Sequence, residues 1–87
     1  MEEFIVNFNG EKSVTCVIAG NLQEAAYLFA RLQIHAGEQE TQRDFDRKPP
    51  IEVRTDSGKR RLFRIKVAEI DANITRIAYE EMGVANV

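Results

Sequence analysis

The sequence predicts an α+β domain. Its centre is a four-stranded antiparallel sheet made from two β-hairpins, in the order β-β-α-β-β with a helix after them, and helices pack on one face. Three observations carry this. Two segments alternate with period two around turn signals that end in glycine, Phe8-Asn9-Gly10 and Asp56-Ser57-Gly58. Between them, apolar residues recur at helical spacing from Leu22 to Ala36. Hairpins make antiparallel sheet, and an amphipathic helix then has one apolar sheet face to cover.

The first strand is Phe4–Phe8, with Phe4, Val6 and Phe8 on one side and Ile5 on the other. The second is Ser13–Ala19. A three-residue loop with Gly10 third pairs Asn7 with Glu11 and Phe4 with Val14. Phe4, Val6, Phe8, Val14, Cys16 and Ile18 then share the inner face, and Ile5, Val17 and Ala19 face outward. Asn21 is placed to cap a helix, with Glu24 three residues on. Leu22, Ala25, Ala26, Phe29, Leu32 and Ala36 form its stripe, and Gly37 suits the left-handed position just past its end. Residues 37–50 have no period and two prolines, and read as a mobile charged loop with Phe45 its one large apolar group.

The second hairpin joins Ile51–Thr55 to Lys59–Val67, again through a three-residue loop with glycine third. Thr55 pairs with Lys59 and Val53 with Arg61. Ile51, Val53, Phe63, Ile65 and Val67 lie inward, while Glu52, Arg54, Leu62, Arg64 and Lys66 lie outward. In the tail, Ile70, Ile74, Ile77, Ala78 and Met82 fit a helical stripe that stops at Gly83. Thr75, Ile77 and Tyr79 also fit a strand, and the helix is the expectation.

Eighty-seven residues suit one domain, 1–87, with a core that needs no staple. Apolar content of 44% and charged content of 30% fit a globular fold rather than disorder. Cys16 and His35 are the only cysteine and histidine, so neither a disulfide nor a zinc framework is expected within the chain. There is no long apolar run and no signal-like start, and the expected location is a reducing cytoplasm. Net charge is −2, unevenly spread. Residues 1–42 carry two positive and six negative charges, residues 43–66 nine and four, and residues 67–87 one and four.

The basic centre narrows to Ser57–Lys66, SGKRRLFRIK. In the hairpin phase above it is the wet side of a half-buried strand, the usual place for charge. Its Lys59–Phe63 segment resembles the basic docking peptide that binds the cyclin groove. That resemblance implies an extended segment offering both Leu62 and Phe63, whereas the hairpin phase turns Phe63 into the core. Nucleic-acid binding by Arg54, Lys59, Arg60, Arg61, Arg64 and Lys66 is the alternative. Against it stand an isoelectric point near 5.4 and an outer face without aromatic rings for base stacking.

No enzyme is expected. A Cys16–His35 pair is not required by the spacing, the paired acids Glu38/Glu40 and Asp44/Asp46 sit in a charged loop, and no glycine loop for phosphate is present. No catalytic residue, metal or cofactor is therefore assigned. The expected role is a small protein-interaction module of adaptor or inhibitor type, such as phages and other mobile elements encode. It binds a protein partner or itself through the outer sheet face. The residues expected there are Ile5, Val17, Arg54, Lys59, Arg60, Leu62, Arg64 and Lys66, an apolar cluster rimmed by charge.

Overall fold

The computed structural model describes residues 1–67 and 77–84. Its elements run β1 (Glu2–Phe8), β2 (Thr15–Ala19), α1 (Leu22–His35), α2 (Gln42–Asp46), β3 (Ile51–Arg54), β4 (Arg60–Val67) and β5 (Ile77–Val84). The four strands of the two hairpins lie side by side as β2-β1-β3-β4, all antiparallel, with helices packed on the sheet. The α+β architecture is thus the one the two hairpins imply. No helix among the described residues is long and apolar enough to cross a membrane.

A fifth strand continues the sheet beyond β4. β5 pairs with β4 from Val67 opposite Ile77 to Arg61 opposite Val84, with a bulge at Leu62/Phe63. This corrects the helical tail over Ile77, Ala78 and Met82; Ile70 and Ile74 lie outside the described residues. The physical reason is the edge: β4 is an eight-residue strand with one side open once β3 has paired, and a strand there satisfies a row of backbone groups.

The second hairpin has the expected register. Val53 lies opposite Arg61 and Ile51 opposite Phe63. The Thr55 amide donates to the Lys59 carbonyl at 3.0 Å, and the Gly58 amide to the Thr55 carbonyl at 3.1 Å. Gly58 takes φ +96, a conformation that side chains resist. Ile51, Val53, Phe63 and Ile65 are buried on the inner face, and Phe63 has no exposed surface at all. The docking-peptide geometry, with Leu62 and Phe63 both offered, is therefore absent from the folded chain.

The first hairpin departs from its expected register. Phe4 pairs with Val17 and Val6 with Thr15, not Phe4 with Val14. Val17 and Ala19 are consequently buried, while Cys16 is exposed and Val14 and Ile18 are 50% and 55% exposed. The connection is longer than three residues because contacts beyond the hairpin hold it open. Its turn closes with the Glu11 amide on the Phe8 carbonyl at 2.9 Å. The Asn7 side-chain amide then donates to the Glu11 carbonyl at 2.7 Å, and the Asn9 amide to the Pro50 carbonyl at 2.8 Å. Lys48 pairs with Glu11 at 2.6 Å and stands 4.9 Å over the Phe8 ring. None of these partners beyond residue 40 is visible from the hairpin's own sequence.

α1 begins as expected: the Asn21 carboxamide oxygen accepts the Glu24 amide at 2.8 Å, and the Glu24 carboxylate accepts the Gly20 amide at 3.2 Å. Its buried face is small, Ala25, Ala26 and Ala30 around Phe29, which lets the helix sit close on the sheet. Phe29 meets Phe8 edge to face at 5.2 Å. Leu32, expected in the buried stripe, is instead 50% exposed, because the helix turns its alanines inward.

Residues 37–50 are not a structureless loop. Thr41 and Asp44 form a reciprocal capping box that starts α2, and α2 drives Phe45 into the core beside Phe8. Backbone amides of Glu40 and then Thr41, the Thr41 hydroxyl and the Arg47 charge together hold the Asp44 carboxyl below the usual aspartate range. The Gln42 side chain works like a short strand. Its Nε2 donates to the Ile65 carbonyl at 2.8 Å and its Oε1 accepts the Val67 amide at 2.7 Å. Pro49 and Pro50 precede β3 and have no amide proton to offer there, so the side chain supplies the pairing.

Candidate interaction surface

The outer sheet face is built from residues that alternate with the core. Ile5, Arg54 and Arg60 lie in one cross-strand row, and Asn7, Glu52 and Leu62 in the next. Glu52 is only 4% exposed although it faces away from α1. It is enclosed by its neighbours. Arg60 binds it through both Nε, at 3.1 Å, and Nη2. The Arg54 Nε lies 3.3 Å from the other carboxylate oxygen, close enough for charge attraction but not aligned as a hydrogen bond. A carboxylate removed from water needs such compensation, and two guanidiniums supply it.

This rearranges the residues expected to meet a partner. Arg54 and Arg60 are committed to Glu52, and Arg64 donates to the Lys48 carbonyl at 2.9 Å. Arg61, of the inner-face phase, donates to the Arg60 carbonyl at 3.0 Å. Ile5 and Leu62 are half-buried, Lys59 and Lys66 are exposed, and Val17 belongs to the core as a consequence of the β2 register. The apolar cluster expected at the centre of the outer face is therefore thin, and Glu52 offsets one of the positive charges around it. For nucleic acid the same commitments matter, because a guanidinium held by a carboxylate brings less net charge to a phosphate.

Exposed apolar surface gathers instead at the β2 side of the sheet. Among the described residues beyond Met1, the large apolar side chains that are half exposed or more are Val14, Ile18 and Leu32. A groove of about 340 Å³ runs between β2 and α1, lined by Cys16, Val17 and Ile18 on the strand and Leu28, Arg31, Leu32 and His35 on the helix. Among the described residues β2 ends the sheet, so the floor of this groove is a strand edge with one backbone side unpaired by them. Two sequence signals mark it. Val14–Ala19 carries no charge, and Leu28, Leu32 and His35 form a second helical stripe beside the buried one.

Cys16 and His35 share this groove, yet among the described residues no hydrogen bond joins them and no carboxylate holds the imidazole. A thiol is activated by a base in direct contact, and that contact is missing. A second depression of about 350 Å³, between Phe8, Ser13, Thr15, Gln33 and Lys48, is polar and has the Glu11–Lys48 pair on its wall. No family model matches the chain, and no curated protein or solved structure matches it either.

Proposed function

We propose that this chain is a small non-enzymatic interaction module whose contact surface is the β2 edge and the groove it forms with α1. The observation that supports the reading is the coincidence of a strand edge, unpaired among the described residues, with exposed Ile18 and Leu32 along the same groove and exposed Val14 just before β2. An apolar patch lying on open backbone donors and acceptors is the arrangement used in strand addition. There the main chain gives affinity and alternate side chains give selectivity. Arg31 and His35 at the rim add polar anchors.

The test compares three forms for oligomeric mass and for proteins retained from a cell extract. They are the wild type, a groove variant (Ile18→Lys with Leu32→Glu) and an outer-face variant (Leu62→Glu with Arg64→Glu). The groove variant loses what the wild type binds and the outer-face variant keeps it. A groove variant with native circular dichroism that retains every association removes the reading.

A further inference from the structure

We infer that the occupant of the β2 edge is a second copy of this chain, its β2 running antiparallel to the first on a two-fold axis at Cys16. The inference rests on the reading of the groove as a contact surface and names the partner. The hydrogen-bonding phase is fixed from the far side of the sheet. Thr55 and Lys59 form a hydrogen-bonded pair, so Val53–Arg61 and Ile51–Phe63 do too, and Glu52 and Arg54 turn their backbone groups toward β1. Asn7 and Ile5 then bond β3, while Phe4 and Val6 bond Val17 and Thr15 of β2. What remains on the open side of β2 are the amides and carbonyls of Cys16 and Ile18, with Val14 in the same phase.

An axis at Cys16 places Cys16 opposite itself and Val14 opposite Ile18 of the second copy, twice. The residues whose backbone groups are open are the ones whose side chains are exposed. One register therefore pairs the backbone and covers both apolar side chains. Thr15–Ala19 has no charge, proline or bulge, the devices that keep an edge strand from pairing with a stranger. On the other face, Leu28 and Leu32 of the two copies border the same seam.

Charge selects the antiparallel orientation. Lys12 and Arg31 stand toward the Thr15 end of β2, and Lys12 has no ion-pair partner among the described residues. Glu2 and Glu3 lie opposite Ala19 and Ile18, and Glu24 lies beside Gly20. Lys12 precedes β2 on the side of Thr15, so antiparallel pairing brings it toward the acidic end of the second copy. Parallel pairing would set like charge on like. A contact covering about a tenth of the 5546 Å² surface per copy totals roughly 1,100 Å², the low end for a specific interface. The dimer is accordingly expected to dissociate in the micromolar range.

Sedimentation equilibrium from about 1 µM to about 1 mM tests this directly. The weight-average mass should climb from 9.9 kDa toward twice that value. Ile18→Lys, and separately Val14→Lys, should each raise the dissociation constant about 100-fold by placing an unpaired charge in the seam. Both sites are exposed, so the monomer should fold in either variant. Lys12→Glu should weaken the dimer, and adding Glu3→Lys should restore part of the loss. A short bis-maleimide should join wild-type copies through Cys16 at dimer-forming concentrations and not the Ile18→Lys variant. A mass fixed at 9.9 kDa up to 1 mM, or a dimer indifferent to both lysines, overturns the second copy as occupant. The interaction reading fails separately, when the groove variant loses none of the wild type's associations.

Discussion

Gln42→Ala should destabilise the fold by more than a surface change on a five-residue helix normally does. The side chain joins α2 to β4 by two bonds, to the Ile65 carbonyl at 2.8 Å and from the Val67 amide at 2.7 Å. A third, from its Nε2 to Asp46 at 2.9 Å, is exposed and adds little. Each of the first two is worth about 1 kcal/mol net. The site is half-buried, so water repairs part of the loss, and the expected cost is about 1.5–2 kcal/mol. In urea, with a slope of about 1–1.5 kcal/mol/M for a chain this small, the midpoint should fall by roughly 1–2 M. Gln42→Glu separates the two bonds. It keeps an acceptor for Val67 and loses the donor for Ile65, so it should fall at or below the alanine variant, helped down by Asp46. Hydrogen exchange gives the local readout, with faster exchange of the Val67 amide in Gln42→Ala. A midpoint within about 0.3 M of wild type and an unchanged Val67 amide would refute the strand-like role of this side chain.

Four further outcomes follow from the same geometry. Gly58→Ala forces a β-carbon onto φ +96 and should cost about 1–2 kcal/mol in chemical denaturation, although nothing crowds the added carbon. Phe63→Ala empties a fully buried site and should cost about 3–5 kcal/mol, enough to leave a marginal fold by thermal melting. Glu52→Gln strips the carboxylate from between Arg54 and Arg60. Both arginines are partly solvated, so the loss in urea should be about 1–3 kcal/mol rather than the full cost of a buried pair. The depressed Asp44 carboxyl contributes stability that is complete above the ordinary aspartate range and is lost as pH falls through its own lower value. Asp44→Asn should therefore flatten the acid limb of the stability curve below about pH 4 and leave its shape at neutral pH unchanged.

The second hairpin was legible because its two phases differ chemically. Ile51, Val53, Phe63 and Ile65 alternate with Glu52, Arg54, Leu62 and Arg64, so one register alone turns the apolar set to the core face and the charged set away from it. β2 offers no such contrast. Val14, Cys16 and Ile18 are as apolar as Val17 and Ala19, so the apolar match that favoured a three-residue loop had an equally apolar rival in a longer one. The decision was made by residues far along the chain, Lys48 and Pro50, which hold the Glu11 and Asn9 backbone in a wider connection. α2 was legible in principle, since Thr41 and Asp44 stand at capping-box spacing before Phe45. Gln42 was not, because nothing local says that a glutamine will pair with a strand more than twenty residues on. The tail carried both a helical and a strand pattern, and the open side of β4 decided between them.

The β2 register also explains why the proposed contact surface lies at the sheet edge rather than on the outer face. In the expected phase Val17 and Ala19 would have joined Ile5 and Leu62 on the outer face, making an apolar centre with basic residues around it. In the actual phase Val17 and Ala19 leave that face, and Glu52 between Arg54 and Arg60 remains at its centre. The apolar residues displaced from the core, Val14, Cys16 and Ile18, are those whose backbone groups face open solvent at the sheet's end. Any odd shift of register exchanges the faces of a strand, and here a shift of three residues, with Phe4 opposite Val17 rather than Val14, turns Val14, Cys16 and Ile18 out of the core at the sheet's edge. That is why variants on β2, rather than variants in the basic stretch 57–66, carry the decisive measurements.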